Sequence, residues 1–305
     1  MHILVVYNPH AGRRRAHLYA ARFERMLLKV IPNVLVTKMS STSLKGVRQF
    51  WKANANNPQN FDVVVIIGGD GTIGPSVDTM IKNGLDIPIY CYGHGTANDF
   101  ASYFGTNCGA KRAARNILNN KIVEVDTIHV NEKMYAVNVA CGGAFTNGVT
   151  KYKGTFKRIL GKFAYLLHAA FVAITLKSQL LRFTVDDQTF DREVYLFYII
   201  NTKNVGGLKN SAPLACPCDG VLDLVCIKKC GFFGKLAIKM HQSLGTLNRC
   251  KHVKTMQGKS FRVEYVPGSK VIQTFTLTDT DGNANEPYPL TATVGRKIKV
   301  ITSGN

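Results

Sequence analysis

Acidic residues are scarce in this sequence of 305 residues: 19 Asp and Glu stand against 39 Lys and Arg, giving a formal net charge of +20. Such an excess predicts an anionic partner, which can be nucleic acid, an anionic membrane surface or a phosphorylated substrate, and it leaves the fold open. No helix-turn-helix, zinc-finger or RNA-binding motif accompanies the charge, so we expect no nucleic-acid partner.

Long apolar runs are also missing. The longest, Phe163–Leu176, has 14 residues, fewer than the ~20 that a membrane-spanning helix needs. No basic leader, the mark of a secretory signal, precedes the first apolar run, Ile3–Tyr7. The eight cysteines form no C-x-x-C pair and are typical of reduced thiols. We therefore expect a cytoplasmic protein, peripherally associated with a membrane, and leave a homodimer open.

The pattern of apolar residues changes near residue 125. Before it, strand-like runs alternate with helical spacing, which predicts an α/β domain with a parallel sheet over residues 1–125. After it, short strands dominate, which predicts a β-rich, sandwich-like second domain over residues 126–295. A last strand at about 296–305 could return to the first domain.

Three polar loops that contain glycine each follow a predicted strand of the first domain. Glycines at a strand-to-helix turn let backbone N–H groups approach an anion, and the helix N-terminus adds a partial positive charge. Because parallel strands end at one edge of the sheet, the loops predict a nucleotide-binding site there. No Walker motif is present. The candidate residues are Asn8, Pro9, Gly12, Gly68, Gly69, Asp70, Gly71, Thr72, Gly95, Thr96, Asn98 and Asp99.

Asp70 is the chemically informative residue of the second loop, because a turn alone would accept Asn or Ser as well. A carboxylate beside phosphates can orient Mg²⁺ or the accepting hydroxyl. The simpler alternative is a tight turn that Asp70 caps. For Asn98 and Asp99 the alternative is likewise a helix cap.

At these loops the chain resembles the diacylglycerol kinase catalytic-domain family, which includes bacterial lipid kinases and is related in fold to sphingosine kinases and NAD kinases. The similarity continues in order along nearly the whole chain. Beyond the three loops it includes Lys157–Leu167, Gly206-Gly207 through Pro213, Asp219-Gly220-Val221-Leu222-Asp223 and Asp281-Gly282.

The resemblance implies a kinase that transfers the γ-phosphate of ATP to a lipid hydroxyl, with diacylglycerol as the default acceptor and a sphingoid base or phosphatidylglycerol as alternatives. It implies that Thr37 and the loops hold ATP. It further implies a Mg²⁺ site formed by Asp219 with backbone oxygens of Cys216 and Val221.

Three departures from the family pattern leave activity open. Gly74-Pro75 replaces an Asn-Glu pair after the second loop, although Pro75 suits the first turn of a helix. His94 stands where the family has a small or apolar residue, and we interpret it as an ordinary surface histidine. Asn283 occupies the position of the family's catalytic base, and an amide cannot accept a proton usefully.

Glu286, Asp281 or Asp70 could replace the missing base. If none does, the chain is a non-catalytic nucleotide- or lipid-binding regulator. Membrane docking is predicted from two basic clusters. One is Arg13-Arg14-Arg15, and the other, beside the apolar run at Phe163, contains Lys151, Lys153, Lys157, Arg158 and Lys162.

Overall fold

The computed structural model describes residues 1–9, 16–40, 49–52, 61–143, 178–269, 275–276, 285–286 and 289–303. Several residues that the sequence singled out lie outside these ranges: Gly12, the two basic clusters, the apolar run at Phe163, Asp281 and Asn283. Within the described ranges, no helix is long and apolar enough to cross a membrane.

The first domain is built on a six-stranded sheet with the order β2-β1-β3-β4-β17-β5. All neighbours in it are parallel except β17 and β5. Strand β3 is buried at every position, as its unbroken apolar sequence predicts. The strands are β1 (His2–Tyr7), β2 (Leu35–Ser40), β3 (Val63–Gly68), β4 (Ile89–Gly93), β5 (Ile122–Val125) and β17 (Ile298–Ile301).

The helices α1 (Ala16–Val30), α2 (Asp70–Lys82), α3 (Asp99–Tyr103) and α4 (Ala110–Asn119) accompany this sheet, and residues 49–52 are helical as well. Helix α1 buries one stripe, formed by Ala16, Ala20, Phe23 and Leu27. The i, i+4 spacing of these residues puts them on a single face, which packs on the sheet together with α4.

The second domain is an eleven-stranded sheet in which every pairing is antiparallel. Its strands are β6 (Ile128–Val130), β7 (Met134–Ala136), β8 (Val139–Gly143), β9 (Gln179–Val185), β10 (Gln188–Ile200), β11 (Leu222–Lys228), β12 (Val253–Gly258), β13 (Ser260–Tyr265), β14 (Phe275–Thr276), β15 (Asn285–Glu286) and β16 (Leu290–Val294). One helix, α5 (Phe232–Ser243), follows β11.

The two domains are joined by two short crossings of the chain. One leads from β5 to β6, and the other brings the chain back from β16 into β17, which lies between β4 and β5. Helix α2 adds a contact, because the buried carboxylate of Asp78 accepts a 2.9 Å hydrogen bond from the Tyr135 amide of β7. The two domains are therefore held together at several points.

Pro75 does not lie where the sequence suggested. Helix α2 begins at Asp70, so Pro75 is its sixth residue and not part of its first turn. Proline has no N–H to donate, and the carbonyl four residues earlier, that of Gly71, loses its helical partner. The side chains of Ser76 and Thr79 bond back to the carbonyls of Thr72 and Pro75, each at 2.8 Å. The helix continues through the proline.

Candidate active site

The strand order of the first sheet creates a crevice between β1 and β3. The chain leaves β1 towards β2 and returns to place β3 on the other side of β1. Open α/β sheets bind ligands at such a switch point, outside the carboxyl ends of the strands. Asn8 follows β1, and its side-chain amide donates to the Thr72 hydroxyl at 3.4 Å. The first and second loops therefore meet at this crevice.

The second loop is the start of helix α2. Gly69 is the N-cap in extended conformation, and Asp70, Gly71 and Thr72 form the first turn. N–H groups in a first turn have no intrahelical partner, and the helix dipole makes this end electropositive. A side chain at Gly68 would place its Cβ 2.6 Å from the Cβ of Thr72. The glycine therefore leaves room for the Thr72 side chain.

The second and third loops touch through their backbones. A Cβ built on Gly69 would lie 2.8 Å from the Cα of Gly95, and one on Gly95 would collide with the Cα of Gly69. Asn98 shapes the third loop, since its amide group accepts from the Gly95 N–H at 2.5 Å and donates to the Gly95 carbonyl at 3.2 Å. Asn98 itself adopts a left-handed conformation with φ 55°.

Asp70 ties the two loops together. Its two carboxylate oxygens accept hydrogen bonds from the amides of Asp99 and Phe100, at 3.1 and 3.2 Å. These are the first amides of α3, so Asp70 caps that helix across the loops, whereas Asn98 makes no capping bond. The carboxylate therefore positions the third loop, and the predicted role towards a metal or hydroxyl stays a prediction.

Asp99 connects the third loop to the second domain. Its carboxylate accepts the Gly207 amide at 3.0 Å. Gly206 and Gly207 both have positive φ, and Val205 and Leu208 exchange hydrogen bonds around them, as in a two-residue hairpin turn. Burial raises the pKa of the Asp99 carboxyl to about 6; the Gly207 bond lowers it and the nearby Asp70 charge raises it.

His94 is not an ordinary surface residue. Its ring stacks on Tyr19 at 4.0 Å between centroids and meets the edge of Tyr92 at 4.3 Å. Burial lowers the pKa of His94, which favours the neutral imidazole. The His94 amide also donates to the Gly68 carbonyl at 2.7 Å. The residue therefore braces the second loop from the side of β4.

Thr37 lies inside strand β2, in register with Leu4 of β1. Its hydroxyl is hydrogen-bonded to the His2 ring at 2.9 Å. His2 is the first residue of β1, whereas the loops follow the last residues of their strands. The Thr37 hydroxyl therefore points towards the start of β1, away from the crevice. Thr96, by contrast, is exposed in the third loop.

The turn that contains Cys216, Asp219 and Val221 lies against a buried carboxylate that the sequence did not single out. Asp126 accepts the Gly220 amide at 2.8 Å, and Asp219 accepts the Val221 amide at 3.1 Å. The other Asp126 oxygen, Oδ1, is buried without a partner, as is the side-chain oxygen of Asn201. Buried acceptors of this kind are normally satisfied by water or a cation.

These oxygen atoms fit a hard cation better than a soft one. Mg²⁺ takes one or two carboxylates and keeps several waters. Among the residues described by the structure, no group of three or more His, Cys, Asp or Glu side chains is close enough to hold a metal by itself. A hydrated Mg²⁺ with Asp126, Asp219 and carbonyl oxygens is compatible with that finding.

The predicted replacement for the base lies in β15. Glu286 pairs with Phe275 of β14, and Thr276 pairs with Cys141 of β8. Its backbone is thus extended, as expected for a residue before proline. Asp281 and Asn283 lie outside the described residues, so the site of the base stays a prediction.

Family models and relatives agree with this architecture. The diacylglycerol kinase catalytic domain model matches residues 2–130, and the YegS C-terminal NAD kinase beta sandwich-like domain model matches residues 144–302. The two models describe, in this order, the α/β domain and the β-rich second domain of a class of kinases. The chain belongs to the diacylglycerol kinase catalytic-domain family, and so to the kinases that phosphorylate an alcohol group.

The individual relatives are distant. A Staphylococcus carnosus (strain TM300) protein, provisionally named a lipid kinase, is 31% identical over 172 residues, which are 56% of this chain and 56% of that protein. A diacylglycerol kinase of Bacillus subtilis (strain 168) is 29% identical over 233 residues, 74% of this chain and 73% of its own. One of Staphylococcus aureus (strain Newman) is 25% identical over 284 residues, 93% and 85% of the two chains.

A crystal structure from Bacillus anthracis str. Sterne, provisionally described as a diacylglycerol kinase, superposes with a TM-score of 0.80. The match covers 98% of this chain and 94% of that one at 19% identity. At such low identity the likeness establishes the fold alone.

Proposed function

We propose that this protein is an ATP-dependent lipid kinase that phosphorylates a lipid hydroxyl, with diacylglycerol as the default acceptor. The observation that carries the proposal is the meeting of three loops at the β1–β3 crevice, with Asp70 bonded to the third loop and Asp99 bonded to the second domain. Family membership supports the same reaction class.

Phosphoryl transfer needs chiefly positioning and neutralisation of charge. The Thr72 amide donates to the Gly69 carbonyl at 2.8 Å, so the amides of Asp70 and Gly71 in the first turn of α2 are the donors proposed for the phosphates of ATP. The helix dipole has the matching sign.

The acceptor is expected to enter the cleft between the domains, opposite the phosphates. The Gly206-Gly207 turn lies beside the third loop. The Gly207 amide donates to Asp99, and a Cβ added to Gly207 would lie 3.7 Å from the Cβ of Ala97. A turn without side chains leaves room for a headgroup close to the third loop. The lipid hydroxyl can thereby approach in line.

Mg²⁺ would be held at the turn of residues 216–221, by Asp219, Asp126 and the carbonyls of Cys216 and Val221. Its chemical contribution there would be to fix the second domain against the first, since Asp126 begins the crossing from β5 to β6 and Asp219 lies on the turn. The partnerless oxygen of Asp126 supports this assignment.

The test is incubation with labelled ATP, Mg²⁺ and a panel of lipid alcohols in anionic mixed micelles. Diacylglycerol, a sphingoid base and phosphatidylglycerol are the informative acceptors. The proposal predicts label in one of these lipids. Label in none of them, with ATP still bound, would contradict it.

A second candidate is a non-catalytic regulator that binds a nucleotide or lipid. Pro75 favours it, because this buried residue replaces a carboxylate that the resemblance places near the phosphates. The regulator is expected to bind ATP without turnover. The lipid panel therefore separates the two functions.

A further inference from the structure

The large apolar side chains of helix α5 are exposed to solvent, whereas a core helix would bury them. Five of them, Phe232, Phe233, Leu236, Met240 and Leu244 just past its end, are between 56% and 83% exposed. The sole buried residue of the helix is Gly234. Phe233, Leu236, Met240 and Leu244 recur at intervals of three and four residues, which places them on one stripe.

The opposite face of α5 contacts the protein through Ile238, which packs on a hydrophobic cluster of the second domain, and through smaller and polar groups. A Cβ on Gly234 would lie 2.7 Å from the Cys230 Cβ and 3.0 Å from the His252 ring, so the helix packs closely there. Lys235 lies over the Tyr195 ring at 4.9 Å. The apolar stripe therefore is not a core face left open by a missing neighbour within the described domain.

The sequence around α5 is strongly basic. Between Asp223 and Glu264 it contains nine Lys and Arg residues and no acidic residue; one of the nine, Lys229, pairs with Glu193 of β10 at 2.9 Å. Lys239 is exposed on the helix itself, and Lys228 and Lys251 flank it in sequence. Amphipathic helices with an apolar stripe bordered by lysines lie in the interface of anionic membranes. A protein partner would need an apolar groove with an acidic rim. An anionic bilayer has an apolar interior and negatively charged headgroups over its whole surface.

The end of α5 contacts the loop that reaches the candidate active site. Gln242 donates to the Ser211 hydroxyl at 3.4 Å, and a Cβ on Gly245 would meet Asn210 at 3.4 Å. The same loop carries Gly207, which bonds to Asp99 across the cleft. A surface on which α5 rests would thus face the side of the molecule where the acceptor enters.

We propose that α5 is an interfacial helix that inserts Phe232, Phe233 and the rest of its apolar stripe into an anionic bilayer. The proposal rests on the proposed function for its biological sense, because a kinase acting on a lipid hydroxyl must work at the interface. It adds a specific docking element to the basic clusters that the sequence indicated.

The experiment compares binding of the full chain to vesicles of neutral phospholipid with binding to vesicles that contain an anionic phospholipid. The test variant is Phe232→Ser with Phe233→Ser, and its matched control is Leu28→Ser, an exposed leucine near the end of α1. Because two apolar side chains leave the bilayer, the test variant should weaken anionic-vesicle binding about 10²-fold or more. The control should bind as the wild type does.

A second pair tests the charge. Lys239→Gln should weaken binding to anionic vesicles about fivefold, as expected for ~1 kcal/mol per basic residue at the surface. Lys29→Gln, an exposed lysine of α1, should leave it unchanged.

Two further readouts keep the outcomes apart. Activity on a short-chain diacylglycerol in free solution should be equal in all variants. If the wild type lacks this activity but its vesicle binding still depends on α5, the proposed function is contradicted and the docking proposal is supported. Wild-type vesicle binding by the Phe232→Ser, Phe233→Ser variant overturns the docking proposal. A change of molecular mass in solution on that substitution overturns it in favour of a second copy.

Discussion

At the scale of single residues, Asp99 combines burial with a structural hydrogen bond. Its pKa is raised from the ordinary value of 3.8 to about 6 by burial, so the folded protein holds more protons at this site than the unfolded chain between those values. Stability must therefore fall as pH rises through this window and level off above it. Asp223 behaves in the same sense, since burial raises its pKa to about 6 as well.

The first prediction follows from that sign. Asp99→Asn removes one of the two titrations, so the fall in the free energy of unfolding between pH ~4 and ~6 should become shallower, with each proton contributing at most ~1.4 kcal/mol per pH unit. Urea unfolding at several pH values measures it. Asp223→Asn removes the other raised titration and should likewise make the fall in the free energy of unfolding shallower. An unchanged pH profile for Asp99→Asn contradicts the assignment.

The second prediction concerns the base. If Glu286 replaces the family's base at Asn283, Glu286→Gln should lower lipid phosphorylation on the order of 10²-fold, the usual contribution of a general base. Steady-state kinetics on the best lipid measures it. A silent Glu286→Gln together with a gain of activity in Asn283→Glu points to a kinase weakened at position 283.

At the scale of elements, the backbone contact between the second and third loops is the feature most sensitive to added atoms. Gly69→Ala would put a methyl group 2.8 Å from the Gly95 Cα. We predict that it destabilises the protein by about 1–3 kcal/mol and weakens ATP binding. Thermal unfolding and nucleotide titration measure the two effects.

Gly109→Ala is the control for this third prediction. Gly109 precedes α4, has no atom within 4 Å of an added Cβ, and adopts a negative φ that alanine also adopts. Gly109 is the N-cap of α4, where alanine is less favourable than glycine, so the substitution should cost about 0.5–1 kcal/mol and should leave ATP binding unchanged. Equal effects of the two substitutions would show that the loop contact is not decisive.

Apolar periodicity predicted the parallel sheet and its helices, and the structure confirms the fold class. It did not predict the start of α2. The sequence placed Pro75 in the first turn of that helix, whereas the helix begins five residues before Pro75, at Asp70. Glycine and aspartate have low helix propensity, and contacts of Asp70 with α3 outweigh it.

At the scale of the whole molecule, the contacts between domains lie beyond sequence patterns. Asp99 and Gly207 are 108 residues apart, and Asp126 and Gly220 are 94 apart. Asp99 was singled out for its loop, but its partner follows only from the fold. Asp126 was missed because a lone aspartate between two strands resembles an ordinary turn residue. Its burial is the signal, and burial requires the structure.

The net charge of +20 leads to the fourth prediction. Binding to vesicles should require anionic lipid and should weaken as salt is added, because exposed charges are screened over about 8 Å at physiological ionic strength. Vesicle co-sedimentation across a salt series measures this. Equal binding to neutral and anionic vesicles contradicts an electrostatic contribution.

The central claim is that the three loops hold ATP for transfer to a lipid hydroxyl, and Asp70 is the residue on which they converge. Asn keeps the shape of Asp70 but has one acceptor oxygen where the carboxylate offers two to the amides of α3. The most direct measurement is the transfer of labelled phosphate from ATP to diacylglycerol in anionic mixed micelles by the wild type and by folded Asp70→Asn. We predict transfer by the wild type and loss of at least about 10²-fold in the variant; wild-type turnover in the variant would contradict the account.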